Sequence, residues 1–197
     1  GEANELDLNG TIHATAANGG SLDLKMRPER HNKVKVLLLL DIGGSMDDYI
    51  EESAQLFSAA RAEFKHLETF YFHNCPYEAL WRNNRRRHDQ TTPTVEMMNT
   101  YGPDWKLIFV GDATMSPYEI TEPGGSVEHW NAEAGAVWMA RLLKRFRNAI
   151  WINPRDPRAW EGTSSARLIR QLMEGRMYPL TLDGLEAGLK ELQRGGG

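Results

Sequence analysis

The sequence predicts an α/β fold, with a doubly wound, mostly parallel sheet and helices on both of its faces. Three observations predict it. The segments 34–40, 106–110 and 149–152 are nearly unbroken apolar runs, which is typical of strands that are buried on both faces. Segments with apolar residues at helical spacing separate these runs along the chain. An alternation of strands and helices implies right-handed crossover connections, and these build a parallel sheet.

The size and composition suit a globular domain. The chain has 197 residues, of which 41% are hydrophobic and 25% are charged, so disordered and fibrous folds are excluded. The formal net charge of −4 disfavours nucleic acid or an anionic membrane as the main partner. The single cysteine, Cys75, cannot form an intrachain disulfide, and the longest apolar run is too short to span a bilayer. We therefore expect a cytoplasmic protein without a signal peptide or a membrane anchor.

The chain is expected to divide into two parts. Residues 1–33 are predicted to form an N-terminal extension, and residues 34–197 are predicted to form the main domain. Within the extension, the segments 11–15 and 21–26 have the pattern of short extended pieces around an Asn-Gly-Gly turn. A polar stretch then leads to the first buried strand.

The first half of the main domain is predicted to contain a strand, a glycine-rich turn and a helix, followed by two more strands. Apolar residues recur at helical spacing over residues 50–64. The segments 69–72 and 78–81 are predicted strands. Residues 92–100 are predicted to form a helix that opens with Thr-Pro, because proline suits the first helical position.

The second half continues the alternation. After a loop rich in glycine and proline, residues 127–146 are predicted to form an amphipathic helix. The buried strand at 149–152 ends at an Asn-Pro pair. Two further helices are predicted, over residues 163–173 and 182–192.

Polar residues follow two of the buried strands. Asp41 ends the first apolar run, Ser45 lies four residues further on, and Asp112 follows a later run. Thr92, in the loop before a predicted helix, is expected to join them at the carboxyl edge of the sheet, where ligands bind in such folds. Two carboxylates and two hydroxyls form an all-oxygen set, which suits Mg²⁺ or another hard divalent cation. No histidine or cysteine joins them at zinc spacing, so zinc is not expected.

Three motifs resemble the metal-ion-dependent adhesion site of von Willebrand factor A (VWA) domains. They are Asp41-Ile42-Gly43-Gly44-Ser45, Thr92-Pro93-Thr94 and Gly111-Asp112, in that order and in strand context. The wider sequence is similar to the bacterial CoxE-like VWA proteins. The resemblance implies a Rossmann-like VWA fold from residue 34 onward, and it implies a partner among the MoxR-type AAA+ ATPases.

The sequence departs from the family's first motif at one position. That motif is Asp-x-Ser-x-Ser, and Gly43 stands in place of the middle serine. The change removes one hydroxyl ligand, so water would have to take its place, and we expect the cation to bind weakly. The substitution Gly43→Ser is then expected to tighten Mg²⁺ binding, provided that the backbone at this position does not need a positive φ.

The resemblance implies a protein-interaction module that is not itself an enzyme. Asp41, Ser45, Thr92 and Asp112 would hold Mg²⁺ directly or through water, and an acidic side chain of the partner would complete the coordination shell. The partner would be a MoxR-type AAA+ ATPase that remodels or matures a client protein. In the sequence itself, no nucleophile–base pair or Walker motif supports catalysis.

Other interpretations fit parts of the pattern. A Mg²⁺-dependent phosphohydrolase or phosphotransferase would use Asp41 as its nucleophile, although the haloacid dehalogenase pattern needs a second aspartate where Gly43 stands. Alternatively, the domain is structural and its site is vestigial. The single residues also have structural alternatives: Ser45 and Thr92 could each cap a helix, and Asp112 could cap its own loop.

Three weaker patterns favour structural roles. His73 and Cys75 could be a nucleophile pair or half of a metal site, but a lone cysteine is more often a small buried apolar residue. The basic segment 85–88 is interpreted as a solvated loop or a patch that faces a partner, rather than a nucleic-acid site. The Gly-Gly-Ser segment 124–126 lacks the lysine and the spacing of a phosphate-binding loop, so we expect a turn followed by a helix cap.

Overall fold

The structure is a computed structural model, and it describes residues 4–6, 11, 26–28, 33–85 and 90–194. Among these residues, a seven-stranded sheet forms the centre of the fold, and helices pack against both of its faces. A separate antiparallel pair joins β1 (Asn4–Leu6) to β2 (Met26–Pro28). The predicted α/β fold class is therefore confirmed.

The seven strands of the sheet are named in chain order. They are β3 (Val34–Asp41), β4 (Phe64–Phe72), β5 (Ala79–Trp81), β6 (Thr91–Pro93), β7 (Lys106–Val110), β8 (Ala149–Asn153) and β9 (Met177–Pro179). Across the sheet they run in the order β6-β5-β4-β3-β7-β8-β9. The four neighbouring pairs β4-β3, β3-β7, β7-β8 and β8-β9 are parallel. Strand β5 pairs antiparallel with both β4 and β6. Strand β3 is central, as its apolar run predicts.

The helices of the described residues are also numbered along the chain. They are α1 (Ile50–Ala59), α2 (Thr94–Thr100), α3 (Pro117–Thr121), α4 (Gly135–Arg145), α5 (Pro157–Trp160), α6 (Ser164–Leu172) and α7 (Leu182–Arg194). Short 3-10 turns occupy Gly44–Met46 and Arg61–Glu63. Within the described part of the chain, every helix is too short or too polar to cross a membrane.

The side chains of β3 enter two hydrophobic cores in alternation, because successive residues of a strand point to opposite faces of the sheet. Leu37 and Leu39 pack in one core with side chains of α2, α4 and α6. Val36, Leu38 and Leu40 pack in the other core with side chains of α1 and α7. None of these five residues is more than 5% exposed, so burial on both faces holds β3 in the middle of the sheet.

Two predicted helices have different boundaries in the structure. The helix predicted over 50–64 ends at Ala59, and Phe64 begins β4, where its ring stacks on that of Phe57 at 6.4 Å between centroids. The helix predicted over 127–146 starts only at Gly135. The buried Asn131 side chain explains this delay, because it donates hydrogen bonds to loop carbonyls on both sides of it.

The N-terminal extension is described in part. Of the extended pieces predicted over 11–15 and 21–26, the structure describes Thr11, which is helical, and Met26, which lies in β2. The other residues of these pieces and the predicted turn between them lie outside the described residues. Strand β1 lies beside the 3-10 turn at Arg61–Glu63.

Candidate functional site

Asp41 ends β3 at the carboxyl edge of the sheet and is fully buried, with 0% of its surface exposed. Its Oδ1 accepts hydrogen bonds from the backbone N–H of Gly43 at 2.8 Å and of Asn74 at 2.9 Å. Its Oδ2 has no hydrogen-bond partner, and it faces Gly111, where a Cβ would lie 3.3 Å away. A buried carboxylate oxygen without a partner is costly, because its lost hydration is not replaced. This oxygen therefore requires a positive or hydrogen-bonding partner.

The ionisation of Asp41 is strongly perturbed. Burial raises the pKa of Asp41 from its usual 3.8 to about 7. The hydrogen bonds from Gly43 and Asn74 act in the opposite direction, while the negative charges of Asp112 and Glu119 raise this pKa further. A bound divalent cation would lower the pKa of Asp41, because it stabilises the ionised form of a neighbouring carboxyl group.

Asp112 follows β7, which is the neighbour of β3 on its other side, and it is 2% exposed. Its Oδ1 accepts the backbone N–H of Thr114 at 3.0 Å, so it does cap its own loop. Its backbone carbonyl accepts a hydrogen bond from Asn153 Nδ2 at 3.1 Å. The cap uses one of the two carboxylate oxygens, and capping is therefore compatible with binding a cation.

Ser45 is exposed and lies in the 3-10 turn that follows β3. It caps neither of the nearby helices. The residue that precedes the 3-10 turn is Gly43 and the residue that precedes α1 is Tyr49, and neither position makes a side-chain cap. The capping alternative for Ser45 is therefore wrong, and its hydroxyl lies on the loop at the same sheet edge as Asp41.

Thr92 is placed differently from the prediction. It lies inside β6, opposite Leu80, and α2 begins only at Thr94 with Pro93 before it. Strand β6 is three strands away from β3, which corresponds to about 14 Å at the usual spacing between strands. Ligands of one Mg²⁺ lie about 2 Å from the ion, so the structure does not bring Thr92 to Asp41. Both the helix start and the ligand position predicted for Thr92 are corrected.

Thr94, two residues further on, has a structural role. It is fully buried, its N–H donates to the carbonyl of Glu78 at 2.8 Å, and its hydroxyl donates to the carbonyl of Tyr77. These bonds attach the start of α2 to the loop between β4 and β5.

Sequence reasoning missed two residues of the site. Asn74 follows β4 with a left-handed backbone, φ +62°, and its Nδ2 donates to Glu119 Oε2 at 2.9 Å. Glu119 lies in α3, is 1% exposed, and also accepts the N–H of Val127 at 3.4 Å. Burial raises the pKa of Glu119. An asparagine directly after a strand is one signal for a left-handed turn, but no sequence pattern connects Glu119 with Asp41.

Asp41, Asn74, Asp112 and Glu119 together form what we name the carboxyl-edge cluster. Its side chains offer oxygen donors, which suit a hard cation rather than zinc or copper. Within the described ranges, no three His, Cys, Asp or Glu side chains are arranged to hold a metal ion. A cation bound here would therefore need amide, hydroxyl or water oxygens as well as carboxylates. Mg²⁺ accepts this combination, so the donor set and the unpartnered Asp41 Oδ2 fit a magnesium ion.

The weaker patterns have structural explanations. Cys75 is 1% exposed, and burial raises the pKa of its thiol well above the usual value, so it does not resemble a reactive thiolate. His73 Nε2 lies 3.1 Å from Glu128 Oε1, and both residues line a pocket of about 200 Å³ next to the cluster. Ser126 accepts the N–H of Glu128 in a turn, and no helix starts there. Most of the basic segment 85–88 lies outside the described residues.

A family model described as "VWA domain containing CoxE-like protein" matches residues 2–75. The matched segment contains Asp41 and Asn74 but ends before Thr92 and Asp112. No curated protein and no solved structure matches the chain. Over this segment the chain is similar to CoxE-like VWA domain proteins, and the mostly parallel sheet that continues beyond it has a Rossmann-like α/β arrangement.

Proposed function

We propose that this VWA-type module binds another protein through the carboxyl-edge cluster, where a divalent cation such as Mg²⁺ forms part of the contact. The observation that carries the proposal is the fully buried Asp41, whose Oδ2 has no hydrogen-bond partner. A fold does not retain such a group for stability, because an uncompensated buried carboxylate weakens it. A cation site explains why Asp41 stands at the end of the central strand.

Three residues of the chain would bind the cation. Asp41 and Asp112 would supply carboxylate oxygens, and Ser45 would supply a hydroxyl from the following loop. The two backbone hydrogen bonds to Asp41 Oδ1 fix the orientation of this carboxylate in advance. When bound, the cation would supply an electron-poor coordination position that a carboxylate of the partner can fill. Thr92 has no part in this proposal, since it lies three strands away.

The proposed partner is a MoxR-type AAA+ ATPase, with the chain acting as its adaptor in the remodelling or maturation of a client protein. The support for this partner is the CoxE-like family match over residues 2–75 and the resemblance of the motifs that contain Asp41 and Asp112. An acidic side chain of the ATPase would complete the coordination of the cation.

The phosphohydrolase alternative is disfavoured by the position of Asp41. A nucleophile must contact the phosphorus atom of its substrate, and a phosphate group needs more room than a single cation, whereas Asp41 is 0% exposed. Its Oδ1 is already occupied by two N–H groups, and its Oδ2 faces Gly111. The proposal therefore expects no hydrolysis of a generic aryl phosphate in the presence of Mg²⁺.

The proposal is tested by capture of the ATPase from the source cell. Purified chain is immobilised with Mg²⁺ or with EDTA, and the bound proteins are identified by mass spectrometry. We expect a MoxR-type ATPase with Mg²⁺ and its loss with EDTA. Asp112→Asn should lose the ATPase, whereas Asp47→Asn, an exposed aspartate in the loop after β3, should retain it. Equal capture with and without Mg²⁺ would reject the metal-dependent contact.

A further inference from the structure

Gly43 is required by space and not by an unusual backbone. Its φ of −61° and ψ of 158° are accessible to any residue. A Cβ at this position, however, would overlap the side-chain oxygen of Asn74, and it would lie 3.2 Å from Asp41 Oδ1. The amide group of Asn74 therefore occupies the place that a side chain at position 43 would take.

Two hydrogen bonds and a particular backbone conformation hold Asn74 in this place. Its backbone adopts φ +62°, a conformation that asparagine tolerates better than most residues. Its N–H donates to Asp41 Oδ1 at 2.9 Å, and its Nδ2 donates to Glu119 Oε2 at 2.9 Å. With Nδ2 directed to Glu119, Oδ1 is the atom directed toward Gly43, at the Cβ position that also lies 3.2 Å from Asp41 Oδ1.

We propose that Asn74 Oδ1 replaces the hydroxyl oxygen of the missing middle serine as a ligand of the divalent cation. This inference rests on the proposed function, since it concerns the same cation. An amide oxygen and a serine hydroxyl are both neutral hard donors, so the exchange preserves the charge of the donor set. Gly43 and Asn74 thus form a matched pair, in which the glycine makes room for the amide.

The pairing changes the expectation for Gly43→Ser. The backbone condition for this substitution is met, but a serine side chain must displace the Asn74 oxygen instead of adding to it. One oxygen is gained and another is lost, so the single substitution should not tighten Mg²⁺ binding.

The test is a double-mutant cycle on the full chain, with Mg²⁺ affinity measured by calorimetry and Mn²⁺ affinity by electron paramagnetic resonance. Asn74→Gly removes the oxygen, and glycine tolerates the left-handed backbone. This variant should lower the affinity for both cations by about tenfold or more. The double variant Gly43→Ser with Asn74→Gly should regain affinity to within about twofold of wild type. This regain separates ligation from positioning, because a serine introduced at position 43 cannot replace the hydrogen bond to Glu119.

The control is Glu174→Gly. It replaces another residue that has a left-handed backbone, φ +53°, and that lies before β9 at the opposite edge of the sheet. It should leave both affinities unchanged. If wild type binds Mg²⁺ and Asn74→Gly binds it equally well, the role of Asn74 is rejected while the cation site stands. If Asn74→Gly binds Mg²⁺ weakly and the double variant binds it no more tightly, ligation by Asn74 is also rejected. If wild type binds neither cation, both the site and the inference fail.

Discussion

The backbone N–H of Asn74 donates to Asp41 Oδ1 at 2.9 Å, although 33 positions separate the two residues in sequence. Asp41 ends β3, and Asn74 lies just beyond the end of the parallel neighbour β4. The hydrogen bond therefore connects the ends of two strands at the sheet edge where the candidate site lies. It orients one oxygen of a buried carboxylate and leaves the other without a partner.

The first prediction concerns pH. The pKa of Asp41 in the folded state, about 7, lies above its usual value of 3.8, so the folded protein binds this proton more tightly than the unfolded chain. In EDTA, stability should be highest below about pH 4 as far as this group is concerned, and should fall as the pH rises to about 7. The full fall corresponds to about 4 kcal/mol in the free energy of unfolding. Urea unfolding across this pH range measures it.

Asp41→Asn is the matched control for this pH dependence. The amide keeps an oxygen for the N–H groups of Gly43 and Asn74 but carries no proton that titrates. We expect the variant to lose the decline in stability between about pH 4 and 7. If wild type and variant decline equally, Asp41 is not the group responsible.

The second prediction concerns Asp112. Because Asp112 Oδ1 caps the N–H of Thr114, Asp112→Ala should cost about 1 kcal/mol of stability. Asp112→Asn retains an oxygen for this cap and should cost less. Both variants should lose Mg²⁺ affinity, as measured by calorimetry, because each lacks the negative charge. Retention of wild-type affinity by Asp112→Asn would exclude this carboxylate as a ligand.

The third prediction concerns the support beneath the site. Trp151 Nε1 donates to the carbonyl of Gly111 at 2.8 Å, and its ring stacks on Phe109 at 5.2 Å between centroids. Trp151→Phe keeps an aromatic ring but leaves the buried Gly111 carbonyl without this donor, at a cost of about 1–3 kcal/mol. Thermal and urea unfolding should show this loss. An unchanged stability would mean that water replaces the indole N–H.

The central strands were predictable because a strand that is buried on both faces is apolar at nearly every position of its sequence. The run from Val36 to Leu40 is apolar at every position, and a strand buried on both faces is the structure that accommodates such a run. The same argument placed Asp41 at the carboxyl edge. Phe64 was misplaced because it continues the helical spacing of the preceding segment, while its burial in the structure comes from β4.

The site was predictable only in part. Asp41 and Asp112 follow strands that are adjacent in the sheet, so strand context alone brings them together. Thr92 was expected at the same edge because Thr-Pro resembles a helix start, but strand pairing with Leu80 places it in β6. Glu119 joins the cluster through a hydrogen bond from Asn74, which is 45 positions away in sequence. Local sequence patterns do not predict such a contact.

The central claim is that the carboxyl-edge cluster binds a hard divalent cation. The most direct measurement is calorimetric titration of Mg²⁺ into wild type and Asp41→Asn at pH 8, where the wild-type carboxyl is predominantly ionised. We predict saturable binding to wild type with a Kd near millimolar, equivalent to about −4 kcal/mol, and no saturable binding to Asp41→Asn. Identical titrations of the two proteins, with or without binding, would contradict the account.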